Sequence, residues 1–397
     1  MPPRAHASVF VPYPAATVAQ ASAGPLTDLR LAVKDVFDVA GYPTGAGTRT
    51  LTATAPPRTR SASAVVQLLQ AGARFVGKTH TDELAFSLDG CHAHFGAPLN
   101  PAAPDRLTGG SSSGSAAAVA AGLADVALGS DTAGSVRLPA SHCGLYGFRP
   151  SHALVALDGM LPLAPSFDTC GWFARDAVTL ARVAAVLLPP PRCRPRPRLL
   201  WPVDLWRELR PGTRSLRAAA RAVVSLLGTP REVQVCPDTP EEMARHFLAL
   251  VGHEAWQLHG AFVTRHGDEI EPEVMRSLQW ARQIDERQVL AALAHRRHCQ
   301  ARWSELLADD RVLIAPTLPE PAPHRDAEVA TLRSHRGRAV RLLCVAPMVR
   351  APQLTLPLAT ASGAPIGLSL IGAPGNDHLL LQTALTLAEA LDAEGKP

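Results

Sequence analysis

The sequence predicts a layered α/β fold. Short apolar runs that read as strands alternate along the chain with longer stretches that read as helices. The 397 residues are 47% hydrophobic and 19% charged, which suits a large buried core.

Taken in order, residues 29–41 (LRLAVKDVFDVAG) read as a buried strand with Lys34 near its end, then a turn. Residues 63–71 read as a helix stopped by Gly72, and 73–77 as a strand. Residues 114–123 read as an alanine-rich helix and 125–129 as a short strand. The run PPPRCRPRP at 189–197 breaks any regular element and reads as a surface connection. Residues 241–308 read as mostly helical, with Leu248, Val251, Trp280, Ile284 and Leu293 among the apolar positions. RVLIAPTLP (311–319), PQLTLPLA (352–359) and APIGLSLIG (364–372) read as strands, and 377–391 as a C-terminal helix. A single domain over 1–397 is expected. It comprises a core at about 29–180, a variable helical middle at about 190–310, and terminal strands and a helix from 311 on.

A formal net charge of +4 is mild for this length, and no dense basic block interleaved with aromatics marks a nucleic-acid binder. Seven cysteines form no framework and suggest thiols in a reducing compartment. The first twenty residues carry prolines where a signal peptide needs an apolar helix, and no uncharged apolar run reaches the ~18 residues of a membrane span. These readings point to a cytoplasmic protein with no nucleic-acid or membrane partner, as a monomer or homodimer.

The cations are unusual. Of 39 basic residues, only Lys34, Lys78 and Lys396 are lysine. A surface cation is equally served by arginine, so a retained lysine invites a reason: a buried lysine loses its proton, whereas arginine effectively keeps it.

Three motifs compete for attention. Gly72 to Thr79 fits G-x-x-x-x-G-K-T, but a P-loop follows a strand and opens a helix, and here a helix precedes it and the middle is strand-like. The stretch from His295 to Cys299 has no partner cluster with zinc spacing and reads as a solvated basic helix face, so no metal is expected. Gly110 to Gly114 fits G-x-S-x-G with Ser112 as a serine-esterase nucleophile, but the residues before it are loop rather than the strand that a nucleophile elbow needs.

The same segment, GGSSSGS at Gly109 to Ser115, is followed at Gly129 to Ser141 by GSDTAGSVRLPAS. Small residues at Ala133 and Gly134 allow a sharp turn before Ser135, which can aim several N–H groups at one point, as an oxyanion hole requires. A serine beside bare donors, a second serine cluster and a rare lysine together suggest a serine activated by a neutral lysine.

The block GGSSSGSAAAVAAGLADVALGSDTAGSVRLPASHCGLYGFRPS resembles the signature block of the amidase signature family. The resemblance continues through SHALVALDGMLPLAPSFDTCGWFARD, RVLIAPTLP and LTLPLATASGAPIGLSLIGAPGNDHLLL, and is weakest from about 190 to 250. Within the family the sequence is similar to plant-type indole-3-acetamide amidohydrolases. The resemblance implies a central mixed, twisted sheet covered by helices on both faces. It also implies a Ser–cis-Ser–Lys catalytic set with no cofactor: Ser135 as nucleophile, Ser111 as the bridging serine 24 residues upstream, and Lys34 as base. The N–H groups of Thr132, Ala133, Gly134 and Ser135 would then form the oxyanion hole. Asp131 and Arg137 would brace the nucleophile turn, Ser112 and Ser113 would shape the loop, and Lys78 would be structural. Ala133 departs from the family's usual glycine. The implied activity is hydrolysis of a small-molecule amide, with the glutaminase subunit of an amidotransferase as a second reading.

Overall fold

Alternating side chains explain how the sheet forms and where its site lies. In β1 (Arg30–Lys34), Leu31 and Val33 face one way while Ala32 and Lys34 face the other, and all four are buried. The remaining strands are β2 (Arg74–Thr79), β3 (Val126–Ser130), β4 (Tyr146–Arg149), β5 (Cys170–Ala174), β6 (Arg198–Pro202), β7 (Arg231–Val233), β8 (Arg311–Pro316), β9 (Gln353–Ala361) and β10 (Ala364–Ile371). The computed structural model describes residues 9–92, 94–191, 196–308 and 310–393. Among these, ten strands form one sheet in the order β2-β1-β3-β5-β4-β9-β10-β8-β6-β7. β2, β1 and β3 run parallel, as do β8, β6 and β7, while the strands between pair antiparallel. The sheet is therefore mixed, as expected.

Both faces are covered. On one, Leu31, Val33, Leu128, Phe148 and Trp172 pack against Val65 and Leu68 of helix Ser63–Gln70 and Leu180 and Val183 of helix Ala177–Leu187. Helices Arg214–Leu227 and Asp377–Ala393 extend this layer. On the other face, Ala32, Ala127 and Phe173 meet Ala116 and Val119 of helix Ser113–Ala120 and Ala140 of helix Arg137–Cys143. Helix Ser113–Ala120 carries nothing larger than valine, so it lies close to the strands with almost every residue buried.

The middle region folds as helices Pro240–His266, Pro272–Ala281 and Glu286–Leu306. Val251 is core, but Trp280 is exposed. The expected solvated face at His295 to Cys299 needs correction. Arg297 and His298 face solvent, whereas Cys299 and Arg296 point inward. The Arg296 guanidinium lies 4.0 Å over the Phe167 ring and donates to the Ser166 carbonyl at 2.8 Å, which satisfies a buried charge. Of the proline-rich connection, residues 192–195 lie outside the described residues, as do the first eight residues and Lys396. No described helix is long and apolar enough to cross a membrane, and no disulfide forms among the described cysteines.

Candidate active site

Lys34 ends β1 on the sheet face that carries helix Ser113–Ala120. Lys78, by contrast, pairs in register with Val33 and so points to the opposite face. There it forms a fully buried ion pair with Asp35 at 2.7 Å and donates to the Pro43 carbonyl. The two rare lysines are separated by the sheet. The P-loop match dissolves in the same geometry, because Arg74–Thr79 is strand β2.

Lys34 Nζ is hydrogen-bonded to Ser111 Oγ at 2.7 Å and to Ser130 Oγ at 2.8 Å. Burial strongly disfavours the ammonium. The charges of Asp82, Asp131 and Asp168 pull the other way, and the net result is a pKa lowered to about 7. Ser130 is a partner that the sequence reading passed over. It ends β3, which runs parallel beside β1, so the two side chains meet at matching strand ends.

Ser111 follows a cis Gly110–Ser111 peptide. Its carbonyl accepts the Asp82 N–H at 3.0 Å. Gly110 has to be glycine, since a Cβ there would lie 2.2 Å from the Asp82 carboxylate. Asp82 is buried, which raises its carboxyl pKa to about 6 against the opposing pull of the Gly90 N–H and Lys34.

Ser112 faces away from this pair. Its Oγ donates to the Ser130 carbonyl at 3.3 Å, and its N–H to the Ser135 carbonyl at 3.3 Å. No strand runs into the G-x-S-x-G segment, so the esterase geometry is missing.

The turn after β3 is organised by Asp131. Its Oδ1 accepts the Gly134 N–H at 3.0 Å, and its Oδ2 the N–H groups of Val136 at 3.0 Å and Arg137 at 3.2 Å. The Arg137 guanidinium grips it with Nε to Oδ2 at 3.0 Å and Nη2 to Oδ1 at 2.7 Å. Arg149 adds Nη1 to Oδ1 at 3.1 Å and a second bond to the Asp131 carbonyl. All three side chains are fully buried. Burial alone would raise the Asp131 pKa, but the Arg137 charge and hydrogen bonds, with Arg149, hold it well below the carboxylate range.

The four N–H groups expected as oxyanion donors differ in what they already bond. Gly134 has φ +116, and its N–H is already committed to Asp131. That bond orders the turn, so of the four expected donors this one already has an acceptor. Among the described residues the N–H groups of Thr132, Ala133 and Ser135 have no protein acceptor. Ser135 Oγ likewise makes no hydrogen bond among them, to Ser111 or to any other group. Thr132 is set by its hydroxyl, which bonds Asp168 Oδ1 at 2.5 Å, while Asp168 also accepts the Leu163 and Ala164 N–H groups. Arg149 and Asp168 were inside the recognised stretches GFRPS and SFDT, and their partner in the fold is the information the sequence lacked.

The site thus combines a lysine poised near neutrality, a serine in contact with it, and a second serine on a rigid turn with unused backbone donors. The Amidase family profile matches residues 13–195 and 200–381. Amidase 1 from Arabidopsis thaliana is 36% identical over 395 residues, spanning 91% of this chain and 93% of that protein. Amidase 1 from Oryza sativa subsp. japonica is 35% identical over 406 residues, spanning 92% and 91%. A crystal structure of an amidase superposes with a TM-score of 0.83 at 33% identity, covering 94% of this chain and 85% of that one. The chain belongs to the amidase signature family and is a hydrolase of carbon–nitrogen amide bonds.

Proposed function

We propose that the protein hydrolyses a primary amide with an aryl- or alkyl-substituted acyl group, such as the arylacetamide indole-3-acetamide, to the acid and ammonia through an acyl-enzyme on Ser135. The observation that carries this reading is the 2.7 Å contact between Lys34 Nζ and Ser111 Oγ at a buried lysine with a pKa lowered to about 7. The similarity to plant Amidase 1 supports the substrate class.

In this mechanism the neutral Lys34 amine accepts the Ser111 hydroxyl proton through its lone pair. Ser111 in turn takes the proton of Ser135 as Ser135 Oγ attacks the amide carbonyl. The oxygen that becomes negative is received by the N–H groups of Thr132, Ala133 and Ser135. The carbon–nitrogen bond then breaks, with the relay returning its proton to the departing nitrogen. Water, deprotonated by the same relay, attacks the Ser135 ester and frees the acid. Asp131, Arg137 and Arg149 keep the turn in place and transfer no proton. The reaction requires no metal or cofactor, and the protein acts in the cytoplasm.

The test is ammonia release from a panel of primary arylacetamides, benzamides and alkanamides, with intact-mass detection of the acyl-enzyme and its mapping to Ser135. Ammonia release from glutamine that depends on an added second subunit, with no turnover of the other amides, would overturn the reading in favour of an amidotransferase glutaminase.

A further inference from the structure

A second group of ionisable side chains, not part of the serine–lysine cluster, has its bonding capacity unmet. Glu83, next to Asp82, is fully buried. Its Oε2 accepts the Glu271 N–H at 2.6 Å, but its Oε1 is buried without a hydrogen-bond partner. Glu271 stands immediately before helix Pro272–Ala281, and its Oε2 is also buried and unpartnered. His92 is buried beside them. One carboxylate oxygen from each glutamate and one imidazole nitrogen lie within 4.8 Å of one another.

Among the described residues no lysine or arginine forms an ion pair with either glutamate. Two buried carboxylates at one point require compensation, by a proton or by a cation. The third member of the cluster favours the cation. His92 Nε2 bonds the Gly47 carbonyl at 2.7 Å, the kind of outer contact that orients a ligating imidazole and leaves Nδ1 with the lone pair. Nδ1 accepts the His94 N–H at 3.0 Å, and a metal taken at that nitrogen would replace this one bond. A set of two carboxylates and one imidazole suits first-row divalent ions better than magnesium or calcium, which take oxygen ligands.

We propose that Glu83, His92 and Glu271 bind a divalent first-row cation, of the class of Zn²⁺ or Mn²⁺. The proposal does not rest on the amide chemistry. Its role is mechanical: it ties the start of helix Pro272–Ala281 to the segment that, through the Asp82 N–H, holds the Ser111 carbonyl. The ion is not part of the reaction.

The test uses the whole chain, stripped with chelator, and titrated calorimetrically with Zn²⁺ and separately with Mn²⁺ while Tm is followed. The expected result is one saturable equivalent of at least one of the two ions and a rise in Tm. Glu271→Gln and His92→Gln should each weaken binding at least tenfold, while Glu273→Gln, whose carboxylate pairs with Arg333 instead, should leave it unchanged. Two results overturn the proposal. One is no saturable binding of either ion, which assigns the two carboxylates to a shared proton. The other is binding that both Glu271→Gln and His92→Gln retain. The wild-type titration is decisive even where a variant fails to fold.

Discussion

Lys34 Nζ and Ser130 Oγ lie 2.8 Å apart at the ends of neighbouring parallel strands, and this contact fixes the direction of the lysine amine. A neutral amine has one lone pair. A bond from Nζ to Ser130 turns that lone pair toward Ser111. Ser130→Ala should therefore lower kcat by about tenfold, a fraction of what a general base contributes, with KM little changed. Replacement by threonine, which keeps the hydroxyl, should restore much of the rate. Steady-state kinetics of the two variants check this, and an alanine variant that changes KM alone would assign Ser130 to the substrate pocket.

The pH profile follows from Lys34. Its pKa is lowered to about 7, chiefly by burial, and only the unprotonated amine accepts a proton. kcat/KM should rise with pH and level off above about 7, far below the ~10.4 of an ordinary lysine. Lys34→Arg keeps the charge but cannot act as a base, and Lys34→Met keeps the bulk alone. Each should cost at least ~10²–10⁴-fold. An arginine variant with near wild-type kcat would reduce Lys34 to a fixed charge and end the Ser–Ser–Lys mechanism.

Ser112 and Ser135 separate the two serine readings. Ser135→Ala should abolish turnover and labelling by a fluorophosphonate, with the fold intact by circular dichroism. Ser112→Ala loses a 3.3 Å bond to the Ser130 carbonyl and should keep much of the activity. Peptide mapping of the label decides between them, and a label on Ser112 would restore the esterase reading.

Asp131 and its two arginines make the turn a stability element. Arg137→Met removes one cation from a fully buried carboxylate, a change that typically costs about 3–5 kcal/mol. The loss should appear as a lowered denaturation midpoint at pH 7. The Asp131 carboxyl is held below its unfolded value, so its contribution is present above the unfolded pKa of ~3.9 and is lost as pH falls toward the folded one. The gap between wild type and Arg137→Met should accordingly narrow in acid. Equal gaps at pH 7 and below pH 3 would mean that packing, not charge, sets the cost.

Much of the site was legible because its residues sit inside one long recognisable block, and because lysine is rare in this chain. Lys34, Ser111, Asp131, Ser135 and Arg137 were all named from that block and the strand before it. Ser130, Arg149 and Asp168 escaped because their significance is positional. Ser130 matters only once β3 is known to lie parallel to β1, and Arg149 only once β4 brings it under Asp131. The bond from the Gly134 N–H to Asp131 was not legible for a related reason: a turn sequence suggests that N–H groups converge, but not which one a carboxylate has taken. In the fold, strands with clear apolar runs were read correctly. β4 to β7 were not read as separate strands: β4 and β5 lie inside stretches taken only as part of the family resemblance, and β6 and β7 fall where that resemblance is weakest. The inward turn of Arg296 and Cys299 was hidden by two neighbouring basic or imidazole side chains that do face solvent.

One feature of the Asp131–Arg137 turn bears on the protein's biogenesis. Arg137 Nη1 donates to the Leu343 carbonyl at 2.8 Å and to Gln353 Oε1 at 2.6 Å, partners 206 and 216 positions further along the chain. The ribosome therefore exposes the Ser135 turn long before it supplies the groups that satisfy that guanidinium. Until the segment around 343–353 has left the exit tunnel, Arg137 has donors with no acceptor in place, and β4 has no β9 to pair with. A chain arrested on the ribosome at residue 340 should be catalytically silent, and one released at full length active, so that the newly made protein withholds its hydrolytic chemistry until synthesis is nearly finished.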